Sequence, residues 1–384
     1  MDVCLDIAFE IFSWLPAKNI CKLKSTCHSF SNFPKETVFK TKQSQNLMER
    51  EDTCFFIQPE KISQSYYKLV ELQALPKYRQ SSGVPNNVLS FLSNSICVLD
   101  SSNGLVLCRT IIDEEIEFFI CNPITKSKFC IPIIESLQRS YNLSNINIML
   151  DCSSDDYKVF LFENITEWMQ NSYACNVYHG KEGAWKTMNE DFLPGGRSLN
   201  FDMHVLYNRA LHFISDCGRY FEKSSPYYKP YIMSYNLDNG SSSMLKLPRQ
   251  AIKDSHVMCN MGIFKWGKGT SSSSSICLVK LQNSVFSIWY LKDYKAGLWQ
   301  KVLKTRVRAL GLNEKDPNVR GFTIMNGNLL IFATEKMIYS CDLEDERFMK
   351  VEEICQHNCG FYPRFISYSD TFRSCGTNVE IMPC

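Results

Sequence analysis

The 384-residue sequence contains no apolar run that approaches the roughly 20 residues needed to span a bilayer. It also lacks long runs of lysine and arginine, and its 42 basic and 40 acidic residues leave a formal net charge of only +2. So small a net charge creates no field that would gather polyanions. The composition therefore predicts neither a membrane-spanning protein nor a nucleic-acid-binding protein.

The 18 cysteines are never spaced as Cys-x-x-Cys, and the first ten residues, MDVCLDIAFE, contain acids but no basic leader. A secreted disulfide scaffold would combine a signal peptide with a short, cysteine-dense chain. We therefore expect reduced thiols that pack mostly as small apolar groups, in a protein of the cytoplasm, the nucleus or both.

Motifs for catalysis, phosphate binding and metal binding are weak. CQHNC (355–359) has no fourth zinc ligand close by in sequence. GIFKWGKGT, from Gly262, places Gly269 where a phosphate-binding loop needs a hydroxyl group. The adjacent acids Asp155 and Asp156 suit a turn better than paired acid–base catalysis. We therefore expect no catalytic residue, no cofactor and no metal.

Up to about residue 50 the apolar residues follow a helical period. Ile7, Ile11, Trp14 and Leu15 fall at i, i+4, i+7 and i+8, which is one stripe of an amphipathic helix. Pro16 ends this helix because it donates no backbone hydrogen bond and disfavours helical geometry at the preceding residue. The apolar pattern continues at Ile20, Leu23, Cys27, Phe30 and Phe33. Helical fragments of this size cannot bury all of their apolar surface alone.

From about residue 53 the period changes to that of β-strands, and hairpins recur. Asn-Gly turns lie in ICVLDSSNGLVLC and FTIMNGNLLIF, with weaker versions in IMLDCSSDDYKVFLF, HVLYNRALHFI and CLVKLQNSVFSIW. A second hairpin follows each of these five, at a period of roughly 50 to 60 residues, close to that of kelch repeats. Two hairpins per period predict four-stranded blades of a β-propeller. A pair of β-sandwiches, the alternative, predicts no such period.

The turns of the second hairpins are expected near Asn122-Pro123, Gly180 to Gly183, Asp238 to Gly240, Tyr294 to Gly297 and Leu343 to Glu346. A sixth blade is expected to join CFFI and YYKLVEL, at the start of the strand-rich part, to FYPRFISYS at its end. The run from Ser271 to Ser275 is expected to be a flexible surface loop.

The opening stretch DIAFEIFSWLPAKNICKLKSTCHSF resembles the F-box motif, a helical unit with a Leu-Pro break and a basic-apolar segment. The matching residue types are Glu10, Ile11, Leu15, Pro16, Lys18, Leu23, Lys24 and Cys27. The remainder is similar to the associated domain of plant F-box/kelch-like proteins, through SSNGLVLC, CNPITKSKFCIPI, SSDDYKVFLF, LHFI, SIWYLKDY and NGNLLIF in the expected order. The chain departs from the pattern at Val3-Cys4, Trp14, Phe30 and Asn208-Arg209.

The resemblance implies a multi-domain protein, α followed by all-β. We expect a helical F-box at residues 1–40, a linker at 41–52, a kelch-like β-propeller of about six four-stranded blades at 53–370, and a C-terminal tail at 371–384.

F-box proteins of this kind act as non-catalytic substrate receptors of Skp, cullin and F-box ubiquitin ligases. The resemblance implies that the F-box docks on a Skp-family adaptor, and through it on a cullin, while the propeller binds the protein to be ubiquitinated. One alternative is a propeller protein-interaction module with a degenerate F-box and no ligase coupling. Another is a propeller enzyme or glycan binder with a site on its central axis.

The candidate adaptor-binding residues, together with the small core behind them, are Ile7, Ile11, Leu15, Pro16, Ile20, Leu23, Cys27 and Phe30. The residues that bind the target protein are unknown. Aromatic and arginine anchors dominate such surfaces, and Trp168, Tyr227, Tyr228 and Arg197 are examples in this sequence, although each could equally be a packing residue.

Overall fold

The computed structural model describes residues 4–23, 26–48, 51–59, 70–76, 96–112, 115–134, 147–164, 172–218, 221–253, 259–267, 274–344, 350–359, 362–376 and 380–381. The chain divides into two compact units. The first comprises Met1–Phe160, Val177–Lys186 and Asn358–Cys384, and the second comprises Leu161–Asn176 and Thr187–His357.

Three helices open the first unit: α1 (Leu5–Ser13), α2 (Ala17–Leu23) and α3 (Thr37–Leu47). Short 3-10 turns at Ser29–Ser31 and Phe33–Lys35 lie between α2 and α3. α1 ends just before the Leu15-Pro16 pair, and the carbonyl of Pro16 accepts hydrogen bonds from the first turn of α2. The proline therefore separates two helices, as the sequence predicts.

The third helix extends the helical part past residue 40. Phe39, Gln43 and Leu47 are buried on one face of α3, so the first part of the predicted 41–52 linker is helix. Most residues of α3 are polar, and one of its buried positions is a glutamine. The segment therefore shows no apolar period from which this helix could be predicted.

The core of the helical part consists largely of aromatic rings. Its buried members are Ala8, Phe12, Ala17, Ile20, Phe33, Phe39 and Phe372. The rings of Phe33 and Phe39 stack with their centroids 5.5 Å apart. One member, Phe372, comes from the far end of the chain, so this small core is completed by a residue that is not part of its own helices.

A three-stranded sheet joins the two ends of the strand-rich part. Its strands are β1 (Cys54–Pro59), β2 (Glu71–Ala74) and β23 (Pro363–Tyr368), with β1 in the middle. β1 and β23 are antiparallel, with Cys54 opposite Tyr368 and Pro59 opposite Pro363. The predicted pairing of CFFI and YYKLVEL with FYPRFISYS is confirmed in the described part of these segments.

The second sheet has five strands. They are β3 (Cys97–Ser102), β4 (Leu105–Ile112), β5 (Glu115–Asn122), β6 (Ser127–Ile131) and β24 (Glu380–Ile381). β24 adds to the outer strand of the sheet, with Glu380 opposite Lys128 and Ile381 opposite Ser127. Part of the predicted 371–384 tail is therefore a strand.

Four further sheets each contain four consecutive antiparallel strands. The first two consist of β7 (Asn147–Asp151), β8 (Lys158–Asn164), β9 (Tyr173–His179) and β10 (Ala184–Thr187), and of β11 (Leu199–Tyr207), β12 (Ala210–Ser215), β13 (Tyr231–Asn236) and β14 (Ser242–Lys246). The other two consist of β15 (Asn260–Trp266), β16 (Ser275–Gln282), β17 (Val285–Asp293) and β18 (Leu298–Arg306), and of β19 (Gly321–Met325), β20 (Leu329–Ala333), β21 (Met337–Asp342) and β22 (Val351–Gln356). A short helix, α4 (Arg249–Ile252), precedes β15.

The two middle strands of each four-stranded sheet are mostly buried, whereas the outer strands β10, β14 and β18 are mostly exposed. This distribution is typical of sheets that pack face to face and leave one edge in solvent. With the closing sheet and the five-stranded sheet, the described residues contain six sheets, the predicted number of blades.

The first-hairpin turns adopt the backbone that the Asn-Gly signal predicts. Both central residues have positive φ in four of them: Asn103-Gly104, Asn208-Arg209, Asn283-Ser284 and Asn326-Gly327. Two positive φ values define the type I′ turn, which matches the twist of paired strands.

The expected second turns lie between β5 and β6, β9 and β10, β13 and β14, β17 and β18, and β21 and β22, with residues 345–349 of the last outside the described residues.

One sheet differs from the expected order. CLVKLQNSVFSIW forms β16 and β17, which are the middle pair of their sheet, because β15 precedes them. GIFKW lies within β15, so Gly262 belongs to a strand and not to a phosphate-binding turn. Lys268 and Gly269 of the string GIFKWGKGT lie outside the described residues. Ser275 begins β16, while residues 271–273 of the expected serine-rich loop lie outside the described residues.

Candidate functional site

The first helix presents an apolar face to solvent. Its large exposed side chains are Leu5 (50% exposed), Ile7 (57%), Ile11 (55%) and Trp14 (45%). Ile7, Ile11 and Trp14 lie at i, i+4 and i+7, on one face of α1. The opposite face, with Ala8 and Phe12, is buried in the aromatic core. A contiguous apolar patch exposed on a protein surface commonly marks an interaction site.

The structure separates the eight candidate adaptor-binding residues into surface and core. Ile7 and Ile11 are exposed, whereas Ile20 is fully buried. The half-buried members are Leu15, Pro16, Leu23, Cys27 and Phe30, of which Leu15, Leu23 and Phe30 pack against the aromatic core.

Sequence reasoning missed Leu5 as a surface residue and Phe12 as a core residue. Phe12 lies four residues after Ala8, a spacing that signals a second apolar stripe on α1. A helix that is apolar on two faces gives no sequence signal for which face is buried.

Polar contacts from α3 hold α1 in place. The side-chain amide of Asn46 donates to the hydroxyl of Ser13 (2.7 Å), which in turn donates to the carbonyl of Glu10 (2.7 Å). Lys42 forms an exposed ion pair with the carboxylate of Glu10. The exposed face of α1 is thus backed by a second helix through both apolar and polar contacts.

The start of α2 is held by the far end of the chain. The backbone N–H of Ala17 donates to the carbonyl of Asp370 (3.0 Å), and that of Lys18 donates to its carboxylate (3.1 Å). Gln43 of α3 donates to the carbonyl of Leu15 (3.0 Å). Burial raises the pKa of Asp370, although the hydrogen bond from Lys18 N–H acts in the opposite direction. Burial also lowers the pKa of Lys18.

The candidate target-binding anchors are not brought together at an exposed surface. Arg197 is buried, and its guanidinium donates to the backbone carbonyls of Tyr227 (2.7 Å) and Tyr228 (2.5 Å) and to the carboxylate of Asp216 (3.0 Å). It is a packing residue that fixes the segment between β12 and β13. Tyr227 and Tyr228 are half-buried, and Trp168 lies outside the described residues.

Other chemistry considered from the sequence has structural explanations. Asp155 accepts a hydrogen bond from Gln45 (2.5 Å) and Asp156 accepts one from the N–H of Lys181 (2.8 Å), in the turn between β7 and β8. His357 lies 3.0 Å from the carbonyl of Thr334. Among the described residues, no cluster of three or more His, Cys, Asp or Glu side chains could hold a metal ion. Nor does this part of the chain contain a helix long and apolar enough to cross a membrane.

Two family models match the chain. The F-box domain matches residues 1–42 and the F-box associated beta propeller domain matches residues 43–368. The boundary between them falls inside α3. Residues 369–384 lie outside these two matches.

The chain is also similar to curated proteins of Arabidopsis thaliana. The F-box protein At5g49610 is 21% identical over 320 residues, which cover 79% of this chain and 79% of that protein. The F-box protein At5g36730 is 22% identical over 199 residues, covering 48% of this chain and 46% of its relative. This chain thus spans about half of the second relative's length and most of the first.

Among solved structures, TolB from Acinetobacter baumannii aligns with a TM-score of 0.45 at 14% identity, covering 83% of this chain and 66% of that chain. The periplasmic gluconolactonase PpgL from Pseudomonas aeruginosa aligns with a TM-score of 0.37 at 9% identity, covering 82% of this chain and 100% of that chain.

Proposed function

The chain belongs to the family of F-box proteins with an associated β-propeller domain, and from this membership we propose that it is a substrate-recognition subunit of a Skp-cullin-F-box ubiquitin ligase. The F-box docks on a Skp-family adaptor, and through it on a cullin. The propeller binds the protein to be ubiquitinated. Other subunits of the ligase transfer ubiquitin, and this chain contributes no covalent step.

We place this complex in the cytoplasm, the nucleus or both. No disulfide joins the cysteines of the described residues, and most of those thiols are buried. Reduced, buried thiols are typical of proteins in reducing compartments.

The observation that supports adaptor binding most directly is the exposed apolar face of α1. Three of its side chains lie on one stripe, and each leaves about half of its surface in water. Burying such side chains against a partner stabilises the complex, and a few residues of this kind dominate a typical interface. Ile11 lies at the middle of the stripe, so it is the residue on which binding should depend most.

The test is co-purification of the full chain with a Skp-family adaptor, followed by calorimetric measurement of the Kd. Ile11→Asp should weaken binding at least tenfold, because it places a charge in an apolar contact. Leu298→Asp is the matched control: Leu298 is 54% exposed, on the outer strand β18, and its substitution should leave the Kd unchanged. Leu15→Asp is a poorer test, since Leu15 also packs on the core.

Two results would contradict this proposal. If the unaltered chain does not associate with any Skp-family adaptor where another F-box protein does, the ligase function fails and the chain is a propeller interaction module. If Ile11→Asp binds as well as Leu298→Asp, the α1 face is not the adaptor site.

A further inference from the structure

The segment Asp370–Arg373 follows the last strand of the closing sheet and lies outside both family matches. All four of its side chains are nevertheless buried. Burying two charged residues near the end of a chain is costly unless each finds specific partners. Their partners fall into two groups.

Asp370 and Phe372 contact the F-box, and the carboxylate of Asp370 also accepts a hydrogen bond from the hydroxyl of Thr53, just before β1 (3.2 Å). The carbonyl and carboxylate of Asp370 accept the first two backbone N–H groups of α2, as described above. The sequence offers no side-chain cap here, because the residue before α2 is a proline. The ring of Phe372 lies in the aromatic core, and its backbone N–H donates to the side chain of Gln43 (3.0 Å).

Thr371 and Arg373 contact the blades. The Thr371 hydroxyl donates to the carbonyl of Asn103 in the β3–β4 turn (2.9 Å). The Arg373 guanidinium donates to the carbonyls of Cys152 (3.1 Å) and Ser154 (2.5 Å) in the β7–β8 turn.

Asn122, at the end of β5, holds the backbone of the same segment. Its side-chain amide donates to the carbonyls of Thr371 (2.9 Å) and Arg373 (2.7 Å). Asp370 and Phe372 therefore reach the F-box and Thr371 and Arg373 reach the blade turns, as alternate residues of an extended chain can, while Asp370 also contacts Thr53.

We propose that Asp370–Arg373 form a clasp that joins the F-box to the adjoining blades and thereby holds α1 and α2 in the arrangement that the adaptor binds. The clasp itself depends only on contacts within this chain. Its effect on adaptor binding rests on the proposed function. Asp370 and Phe372 are positioning residues, since neither lies on the exposed face of α1.

Hydrogen exchange of the full chain, read by mass spectrometry on peptides that contain α2, tests the clasp without any adaptor. Asp370→Ala removes the carboxylate that accepts the Lys18 N–H, although the backbone carbonyl that accepts the Ala17 N–H remains. It should raise the exchange of the α2 amides about fivefold. Asp370→Asn should restore most of the protection, because asparagine also accepts hydrogen bonds at a helix start. Thr371→Val should raise α2 exchange as well, although Thr371 contacts a blade.

A control for the loss of a single hydroxyl group is Thr187→Val, at an exposed position of β10. Its hydroxyl also donates one side-chain hydrogen bond, to Asn176 (2.7 Å), and its loss should leave α2 exchange unchanged. If Thr371→Val leaves α2 exchange as unchanged as this control does, the contact with the blade does not stabilise the F-box. The clasp is then overturned. Unchanged exchange in Asp370→Ala would overturn it too.

Adaptor affinity distinguishes the two proposals. If the unaltered chain binds a Skp-family adaptor, Asp370→Ala should raise the Kd by about the same fivefold, with Asp370→Asn close to the unaltered chain. If Asp370→Ala exchanges faster but binds the adaptor with the same Kd as the unaltered chain, the positioning role of Asp370 is overturned. If the unaltered chain binds no adaptor, the proposed function fails and hydrogen exchange alone decides the clasp.

Discussion

The glycine of the first Asn-Gly hairpin makes room for the clasp. A Cβ atom on Gly104 would lie 2.0 Å from the hydroxyl oxygen of Thr371 and 3.0 Å from its Cβ atom. Gly104 also has φ +83°, which costs a residue with a side chain about 1 to 2 kcal/mol. Thr371 is fully buried, so moving it would break its hydrogen bond to Asn103, worth about 1 kcal/mol. We expect Gly104→Ala to lower the free energy of unfolding by about 2 to 3 kcal/mol.

Urea unfolding measures this loss, and a second substitution tests its cause. Thr371→Ala removes the hydroxyl that the new methyl group would strike, so the double variant should lose about 1 kcal/mol less than the sum of the two single variants. Ser284→Ala is a control at the same turn position, φ +54°, and should change stability by less than about 0.5 kcal/mol. Strict additivity of Gly104→Ala and Thr371→Ala would refute the reasoning.

Two further predictions concern the second unit. Arg209 has φ +57° at the position where two of the related turns have Gly104 and Gly327. Arg209→Gly should raise the free energy of unfolding by about 0.5 to 1 kcal/mol, since the exposed ion pair of Arg209 with Asp238 contributes little. A lower urea midpoint would contradict this. Burial lowers the pKa of His212 from 6.5 to about 4. Its neutral ring, 2.9 Å from the Tyr294 hydroxyl, contributes stability that is complete above pH 6.5 and is lost as the pH falls, by about 3 kcal/mol at pH 4. His212→Gln should show a correspondingly flatter dependence of stability on pH, and equal slopes would count against this assignment.

The hairpins were predictable because their signals are local. Asn103-Gly104 and Asn326-Gly327 each specify a type I′ turn through the backbone freedom of two neighbouring residues. Repetition then gave the number of sheets, and the Leu15-Pro16 pair gave the helix break. Each of these features depends on residues that are adjacent in sequence.

The features that were not predictable depend on distant residues. α3 is mostly polar, and its buried Gln43 acts through Leu15 and Phe372, which lie far from it along the chain. The bond between Lys18 and Asp370 spans 352 positions. No period or motif signals such a partner, so the sequence predicts only a tail at residues 371–384. The same limit applies to Arg197. The sequence does not show which backbone carbonyls its guanidinium contacts, so it could not distinguish a buried packing residue from an exposed anchor.

The burial of the individual candidate adaptor-binding residues was not predictable from the sequence. Because α1 is apolar on two faces, periodicity could not decide that Ile11 is exposed and Phe12 buried. The core that makes this decision includes Phe372, which no local pattern connects to α1.

The position of the clasp also sets the order in which the protein can be completed on the ribosome. Synthesis adds about 5 to 20 residues per second, so the 352 positions between Lys18 and Asp370 take about 20 to 70 s to make. Until then α2 has no cap and the aromatic core lacks one of its rings. A chain cut before Asp370 therefore contains α1, α2 and α3 but lacks the hydrogen bonds to α2 and the ring of Phe372. The helical part can therefore reach its final packing only after residues 370–373 have been synthesised.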